Sequence, residues 1–262
     1  MQAIANYKPN YKQMKNNYHI FKTPDELANK MAFQLMDWVY NHDENIYHLA
    51  ISGGKTPELL FMTLASKYSS STLWEKVHFW WVDERMVPAT DPESNFGNAQ
   101  KTLFSKISIP EKNIHRIKGE NDPKQEALSY STQIQKEISQ ANGWPSFDLI
   151  LLGMGNDGHT ASIFPDQLEL LDSDQVCEVA NHPSTAQKRV TLTGKAINNA
   201  QKVCFLVTGF GKAVPLSEIW INTEKANLLP AAHINPNGGE LYWYVDKPAA
   251  QFLKERNPGS SE

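Results

Sequence analysis

The sequence is poor in cysteine, with two among its 262 residues. Cys177 and Cys204 are far apart and each lies in an apolar run, which predicts two buried thiols and no disulfide. Reduced thiols are typical of the cytosol, so we expect a cytoplasmic protein. The chain also lacks an H-E-x-x-H motif and paired C-x-x-C motifs. It therefore gives no sign of a dedicated metal site.

An excess of positive charge and long apolar runs are also missing. The net charge of −4 argues against nucleic acid as the main partner. No apolar run approaches the ~20 residues of a membrane-spanning helix. The first residues, 1–8, lack the apolar core of a signal peptide. We expect neither nucleic acid nor a membrane as a partner.

Short apolar runs alternate with amphipathic segments along the chain. The segments predicted as strands are 18–21, 47–51, 77–82, 113–117, 147–152, 176–180, 189–193, 203–207 and 241–245. The predicted helices include one after Thr23-Pro24, one capped by Thr56, one over 123–138 and a closing one from Pro248. This alternation predicts an α/β fold with three α/β/α layers, a mainly parallel, Rossmann-like sheet and a small additional strand-containing lobe.

Residues 1–17 are polar and aperiodic, which predicts a flexible arm. Residues 18–255 contain no linker-like stretch and no repeat, so we expect one α/β domain. Residues 256–262 are polar and predict a disordered tail.

Glycine-rich loops follow three of the predicted strands, at 52–54, 153–158 and 209–212. Glycines at a helix entrance let backbone N–H groups approach an anion. Lys212 and Arg189 would complete a phosphate-binding site. Each loop alone is more often a plain turn. Three together favour a phosphorylated small molecule as ligand.

Two nucleotide-binding motifs are matched only in part. Gly54-Lys55-Thr56 resembles the end of a Walker A loop, but Leu49 occupies the position of the required first glycine. Residues 153–158 match G-x-G-x-x-G, yet a dinucleotide site needs a long helix next and Pro165 forbids one. We therefore expect no cofactor.

His159 is the candidate general base, because imidazole titrates near neutral pH. Asp157 would orient its ring or bind a substrate hydroxyl. The alternative is a histidine that only caps a short helix through a backbone hydrogen bond. Ser162 lacks the G-x-S-x-G context of a hydrolase nucleophile.

Asp83-Glu84-Arg85 follows the strand that contains Trp80 and Trp81. Charged residues after a strand commonly form a surface ion pair in a loop. Their place beside the other strand-end loops favours a role in the site.

Together these motifs resemble the 6-phosphogluconolactonase family. The matching segments occur in family order and span most of 18–250: 51–57, 81–85, 91–95, 153–165, 189–193, 209–213 and 229–232. The resemblance implies hydrolysis of 6-phospho-D-glucono-1,5-lactone to 6-phospho-D-gluconate, the second step of the oxidative pentose phosphate pathway.

The resemblance also implies roles for single residues. His159 would activate water, Asp157 would orient it or a sugar hydroxyl, and Arg85 would face the sugar or the developing negative charge. Backbone N–H groups of the glycine turn would add an oxyanion site. The implied substrate- and phosphate-binding residues are Ser52, Gly53, Gly54, Lys55, Asp83, Glu84, Asn95, Gly155, Arg189 and Lys212. The partner is a small-molecule lactone, and the chain would be a monomer or a small homo-oligomer.

The glucosamine-6-phosphate deaminases share some of these motifs. They usually have tyrosine at the position of Arg85, and a glutamate within the segment that corresponds to 160–164. The missing glutamate favours the lactonase. A deaminase or aldose–ketose isomerase, and a non-catalytic sugar-phosphate sensor, are the alternatives. His233 receives no role.

Overall fold

The computed structural model describes residues 17–253. The predicted tail at 256–262 and all but the last residue of the predicted arm lie outside the described residues, and the single domain stays a prediction. The strands are β1 (Tyr18–Phe21), β2 (Tyr47–Ile51), β3 (Val77–Trp81), β4 (Asp83–Arg85), β5 (Ile114–His115), β6 (Gln140–Ala141), β7 (Trp144–Pro145), β8 (Leu149–Leu152), β9 (Cys177–Asn181), β10 (Lys188–Leu192), β11 (Lys202–Val207) and β12 (Glu240–Asp246).

The α-helices of residues 17–253 are α1 (Pro24–Tyr40), α2 (Lys55–Tyr68), α3 (Asn95–Thr102), α4 (Pro123–Glu137), α5 (Gly194–Ile197) and α6 (Ala213–Ile221). The start of α1 confirms its predicted cap, since Thr23 Oγ1 accepts the N–H of Glu26 at 3.2 Å and Pro24 is the first helical residue. The apolar stripe through Leu27, Met31 and Leu35 is buried. None of the described helices is both long enough and apolar enough to span a membrane.

Seven strands form one sheet in the order β1-β12-β11-β8-β2-β3-β5, and every neighbouring pair is parallel. All four residues of β8, at the centre, are buried. A strand covered on both faces reads as a continuous apolar run, which is why this segment was identifiable from sequence. The three-layer α/β fold with a parallel sheet is confirmed.

Aromatic side chains fill much of the core. Phe205 and Trp243 stack at 4.0 Å on neighbouring strands, and Trp80 stacks on His115 at 4.0 Å. Trp80 and Trp243 are almost completely buried. Truncating either to alanine would cost about 3–5 kcal/mol of stability. Cys177 and Cys204 are both free and buried, as predicted.

The predicted additional lobe is a three-stranded antiparallel sheet in the order β4-β10-β9. Residues 83–85 extend the chain into this second sheet and do not form a loop, because their backbone pairs with β10. The register places Arg189 opposite Arg85 and Thr191 opposite Asp83. Strand pairing thus brings Arg85 and Arg189, which are distant in sequence, to neighbouring positions on β4 and β10.

Two helix predictions are wrong, one for the N-cap of α2 and one for a closing helix. Helix α2 begins at Lys55 with Gly54 as its N-cap, whereas we expected Thr56 to be the cap. The Thr56 hydroxyl instead lies 2.6 Å from the Thr208 hydroxyl. The closing helix from Pro248 is a turn over residues 247–252. Asp246 Oδ1 accepts the N–H of Ala249 and stabilises that turn.

Candidate active site

A cavity of about 530 Å³ lies where the carboxyl ends of β2, β8 and β11 meet the small sheet. Open parallel sheets commonly bind ligands at this edge. Eleven of the thirteen predicted site residues line it: Ser52, Gly53, Gly54, Lys55, Asp83, Arg85, Asn95, Gly155, His159, Arg189 and Lys212. The other two, Asp157 and Glu84, are not among the lining residues.

His159 and Asp157 form a hydrogen-bonded pair, with 2.6 Å between Nδ1 and Oδ1. Because a carboxylate only accepts, Nδ1 carries the proton and Nε2 keeps a free lone pair in the neutral ring. The ring is supported by buried Phe164, whose centroid lies 4.8 Å away. The side chains of His159 and Asp157 are 29% and 45% exposed, so water reaches the pair. The arrangement is that of an oriented general base.

The backbone of the turn holds this pair in place. Gly155 N–H donates to the carbonyl of His159 at 2.8 Å, and Gly158 N–H donates to the carbonyl of Gly155 at 3.1 Å. Residues 160–163 then form an antiparallel bridge and no helix. The alternative in which His159 caps a short helix is therefore wrong. The N–H groups of Gly155 and Gly158 bond within the turn, and an oxyanion site made by other N–H groups of the turn stays a prediction.

Asp157 is ionised at neutral pH. Burial raises the pKa of its carboxyl, but the hydrogen bond from His159 and the charge of that ring outweigh burial and lower the pKa to about 2. An ionised carboxylate beside Nδ1 stabilises the imidazolium that forms when Nε2 takes a proton. The pair can therefore hold a proton temporarily.

Four cationic residues line the cavity: Lys55, Arg85, Arg189 and Lys212. Arg189 is buried in β10, and its Nε has no partner among the described residues. Arg85 NH1 donates to the carbonyl of Glu93 at 2.5 Å. Lys212 lies in a short 3₁₀ turn after β11, and burial lowers its pKa while the charge of Asp157 opposes that shift. Such a cluster attracts an anion.

The loop between β2 and α2 adds backbone donors. Gly54 has a φ of 104°, a conformation that favours glycine, and a Cβ there would meet no atom within 4 Å. This loop and the first residues of α2 line the cavity, so the unpaired N–H groups of a 14-residue helix lie beside it. The Ser52 hydroxyl is engaged elsewhere, since it donates to the carbonyl of Leu151 at 2.9 Å.

The loop at 209–212 contributes differently from our expectation. Gly209 N–H donates to both oxygens of the Asp246 carboxylate at 3.0 Å. That N–H group is therefore not available to a ligand. The contribution of this loop is the Lys212 side chain.

Glu84 lies outside the cavity and anchors the loop that follows β4. Its carboxylate accepts the N–H groups of Arg85, Asn95 and Phe96, each at 2.8 Å, and the Ser94 hydroxyl at 3.0 Å. Burial raises the pKa of Glu84, and the backbone hydrogen bonds oppose that shift. Glu84 therefore supports the backbone of this loop and does not line the cavity.

Sequence reasoning missed some wall residues. Thr56 and Thr208 both line the cavity and bond to each other. Thr208 directly follows β11, so its place at a strand end was a usable signal. Ala161 also lines the cavity, with a φ of 50° that is unusual for alanine and that the sequence did not indicate.

One group within residues 17–253 has the composition of a metal site: His78, His115 and Glu137. His78 Nδ1 and His115 Nε2 are 2.9 Å apart and the ring centroids are 5.1 Å apart, so the nitrogens face each other on the line between the rings. That is the geometry of an N–H···N hydrogen bond, whereas metal ligands converge on a common point. Burial lowers the pKa of His115 to about 4 and favours the neutral ring. The cluster is separate from the cavity, and we assign it a structural role.

Comparison with known proteins relates nearly the whole chain to one family. The sequence profile described as glucosamine-6-phosphate isomerases/6-phosphogluconolactonase matches residues 22–243. A 6-phosphogluconolactonase of Aggregatibacter actinomycetemcomitans is 44% identical over 239 residues, which are 90% of this chain and 100% of that protein. One of Haemophilus influenzae is 43% identical over 238 residues, with the same two coverages.

A solved structure shows the same likeness in three dimensions. The crystal structure of 6-phosphogluconolactonase from Thermotoga maritima matches with a TM-score of 0.76 and 29% sequence identity. The match covers 88% of this chain and 99% of that one.

Proposed function

Because the chain belongs to the family of glucosamine-6-phosphate isomerases and 6-phosphogluconolactonases, we propose that it is a 6-phosphogluconolactonase whose general base is His159. It hydrolyses 6-phospho-D-glucono-1,5-lactone to 6-phospho-D-gluconate. The observation that carries the proposal is the His159–Asp157 pair at 2.6 Å, whose histidine lines a cavity with four cationic residues. We also propose a cytoplasmic location, which the two reduced, buried thiols support.

In the first step, His159 Nε2 takes a proton from water as the water oxygen bonds to the lactone carbonyl carbon. The carbonyl π bond breaks and its electron pair moves to oxygen, giving a tetrahedral oxyanion. Asp157 stabilises the imidazolium. Arg85 faces the oxyanion and offsets its charge, which is the larger electrostatic contribution in reactions of this kind.

In the second step, the carbonyl re-forms and the bond to the ring oxygen breaks. The ring oxygen takes the proton from His159 Nε2 and becomes a hydroxyl, which restores the neutral base. The new carboxylic acid releases a proton to solvent at neutral pH. One water is consumed and the enzyme returns to its starting state.

The phosphate is held on the other side of the cavity. The N-terminus of α2, Arg189 and Lys212 supply hydrogen-bond donors and positive charge for a dianion. Holding the phosphate positions the lactone carbon over His159, and such positioning is a major part of catalysis for an activated ester.

His159→Ala tests the base directly. We expect kcat to fall about 10²- to 10⁴-fold while inorganic phosphate still binds, because the phosphate contacts stay intact. Turnover is measured as lactone disappearance above the spontaneous rate. His19→Ala is the matched control, since His19 is an exposed histidine on β1 outside the cavity. Wild-type turnover in His159→Ala would remove His159 from the mechanism.

The deaminase and isomerase alternatives need further acid–base groups. Among the described residues that line the cavity, Asp83 is the only carboxylate, and two hydrogen bonds already engage its oxygens. This supports the lactonase. Glucosamine 6-phosphate should release no ammonia with this protein, and measurable release would favour the deaminase. A sensor would bind phosphate and leave the lactone at its spontaneous rate.

A further inference from the structure

Ser162 has no part in the mechanism above, yet it contacts two residues of the cavity wall. Its side chain is completely buried and does not line the cavity. Its hydroxyl donates to Asp83 Oδ2 at 2.6 Å and accepts from Arg189 NH1 at 3.3 Å. A hydroxyl has one proton to donate and lone pairs to accept, so both bonds form together. Ser162 therefore connects a buried carboxylate to a buried guanidinium.

The direct contact between Asp83 and Arg189 is long. Asp83 Oδ2 lies 4.0 Å from Arg189 NH1, beyond hydrogen-bonding distance. The hydroxyl of Ser162 takes the place of a direct ion pair and keeps the two charges apart. Arg189 also lies over the ring of Phe164, 5.7 Å from its centroid, and its Nε has no partner among the described residues. Its NH2 group donates to Gln187 Oε1 at 3.5 Å, and Arg189 lines the cavity, where its guanidinium can meet an anion.

Asp83 is itself fixed from the opposite side. Asn95 Nδ2 donates to the Asp83 carbonyl at 3.0 Å and approaches Asp83 Oδ1 at 3.4 Å. Ser162 is fixed too, because its backbone N–H donates to Thr191 Oγ1 at 3.1 Å. Each member is therefore held by more than one bond, and such a network orients its members sharply.

We propose that Ser162 is a positioning residue for phosphate binding: its hydroxyl holds Arg189 away from Asp83 so that the guanidinium meets the phosphate of the substrate. In this role Asp83 anchors Arg189 and is not a substrate ligand. The proposal rests on the phosphate-binding part of the proposed function. It names the interaction that keeps Arg189 available.

Removing the hydroxyl has a defined physical consequence. In Ser162→Ala, the buried Asp83 carboxylate loses its shortest hydrogen bond, which is unfavourable for a buried charge. A group that can replace this bond is the Arg189 guanidinium, whose NH1 lies 4.0 Å from Asp83 Oδ2. Arg189 then moves toward Asp83 to form a direct ion pair and withdraws from the phosphate. His159 keeps its own partner, so the chemical step is little changed.

The test compares KM with kcat. For Ser162→Ala we expect KM for the lactone and the Kd for inorganic phosphate each to rise about tenfold, the effect of one lost charged hydrogen bond, while kcat stays close to wild type. The matched control is Ser131→Ala. Ser131 is a buried serine on α4 whose hydroxyl donates to the Ala127 carbonyl at 2.7 Å and accepts the Cys177 N–H at 3.0 Å. It should lose stability without any change in KM.

A second comparison separates positioning from general damage. In an Arg189→Ala background, Ser162→Ala should raise the Kd for phosphate no further, because the residue it positions is gone. Ser162→Cys keeps the shape of the side chain, with a slightly larger atom that is a weak donor, and it replaces Ser162→Ala if the alanine variant does not fold. It should show the same rise in Kd.

Each outcome decides the proposal. An unchanged Kd for phosphate in the folded Ser162 variant overturns the proposal. An equal rise of that Kd when Ser162→Ala is added to Arg189→Ala also overturns it. A wild-type protein that binds no phosphate overturns it as well. Phosphate binding is measured by calorimetry without turnover. If the wild type binds phosphate through Ser162 but leaves the lactone at its spontaneous rate, the proposed function fails and the positioning role stands.

Discussion

Gly155→Ala is the sharpest test of how the turn works. Gly155 has no side chain, and a Cβ at this position would lie 2.1 Å from His159 Nδ1 and 2.4 Å from Asp157 Oδ1. No real side chain tolerates such contacts. The new methyl group would occupy the space in which the His159–Asp157 hydrogen bond forms.

The size of the effect follows from these distances. Relieving a 2.1 Å contact to an ordinary van der Waals distance of about 3.5 Å requires the ring to move by more than 1 Å. A displacement of that size breaks the 2.6 Å hydrogen bond and moves Nε2 from the substrate. Misplacing a catalytic group by 1 Å can cost about 10²-fold in rate. We therefore expect kcat to fall about 10²-fold, equivalent to ~2.7 kcal/mol.

The assay is lactone hydrolysis above the spontaneous rate, with thermal denaturation as the check on folding. Gly153→Ala is the matched control, because a Cβ at Gly153 would meet no atom within 4 Å. It lies in the same turn and leaves the His159–Asp157 pair in place, so kcat should be retained; because Gly153 lines the cavity, any contact of the methyl group with the substrate should change KM. If Gly155→Ala folds normally and keeps wild-type kcat, the fixed His159–Asp157 geometry is not needed for the reaction.

Three further predictions concern other parts of the molecule. Gly53→Ala would place a Cβ 1.8 Å from Asn95 Oδ1, so we expect a lower melting temperature and a lower kcat/KM. Thermal denaturation and steady-state kinetics measure these two quantities. Unchanged values would contradict the close approach. The pKa of Asp157 is lowered from 3.8 to about 2, so its carboxylate stabilises the fold at higher pH and this contribution is lost as the pH falls through that window. In urea denaturation, the difference between wild type and Asp157→Asn should be less than about 1 kcal/mol for this half-exposed pair. It should be constant above about pH 5, much reduced at about pH 2 and absent below that pH; a difference that grows on acidification would refute it. Burial raises the pKa of Cys177 to about 12 and also raises that of Cys204, so neither thiol should react with iodoacetamide in the native protein at about pH 8, and both should react after denaturation.

The likeness to the family also explains why the distant residues of the site could be named at all. Arg85 and Arg189 belong to different strands of the small sheet, and pattern alone gives no reason to pair them. They were predicted because they lie in motifs that resemble the family, and the register of β4 with β10 shows how they meet. Glu84, taken from the same motif, is directed into the loop it anchors and away from the cavity.

The sequence by itself determined the features that depend on neighbouring residues. Local apolar patterns and local backbone chemistry predict the buried strand β8, the Thr23 cap of α1 and the glycine turns. The His159–Asp157 pair was predictable for the same reason, since only Gly158 separates its members and a tight turn brings their side chains together.

Only the tertiary structure decided which of the candidate polar groups are free to act. Ser162 and Asp83 are 79 residues apart, and their bond exists because β4 packs beside the turn after β8. The first residue of α2 was misplaced because the N-cap depends on the backbone conformation of Gly54, while Thr56 is engaged by Thr208 on another loop. Such contacts follow from the packing of distant segments, and a one-dimensional pattern does not contain them.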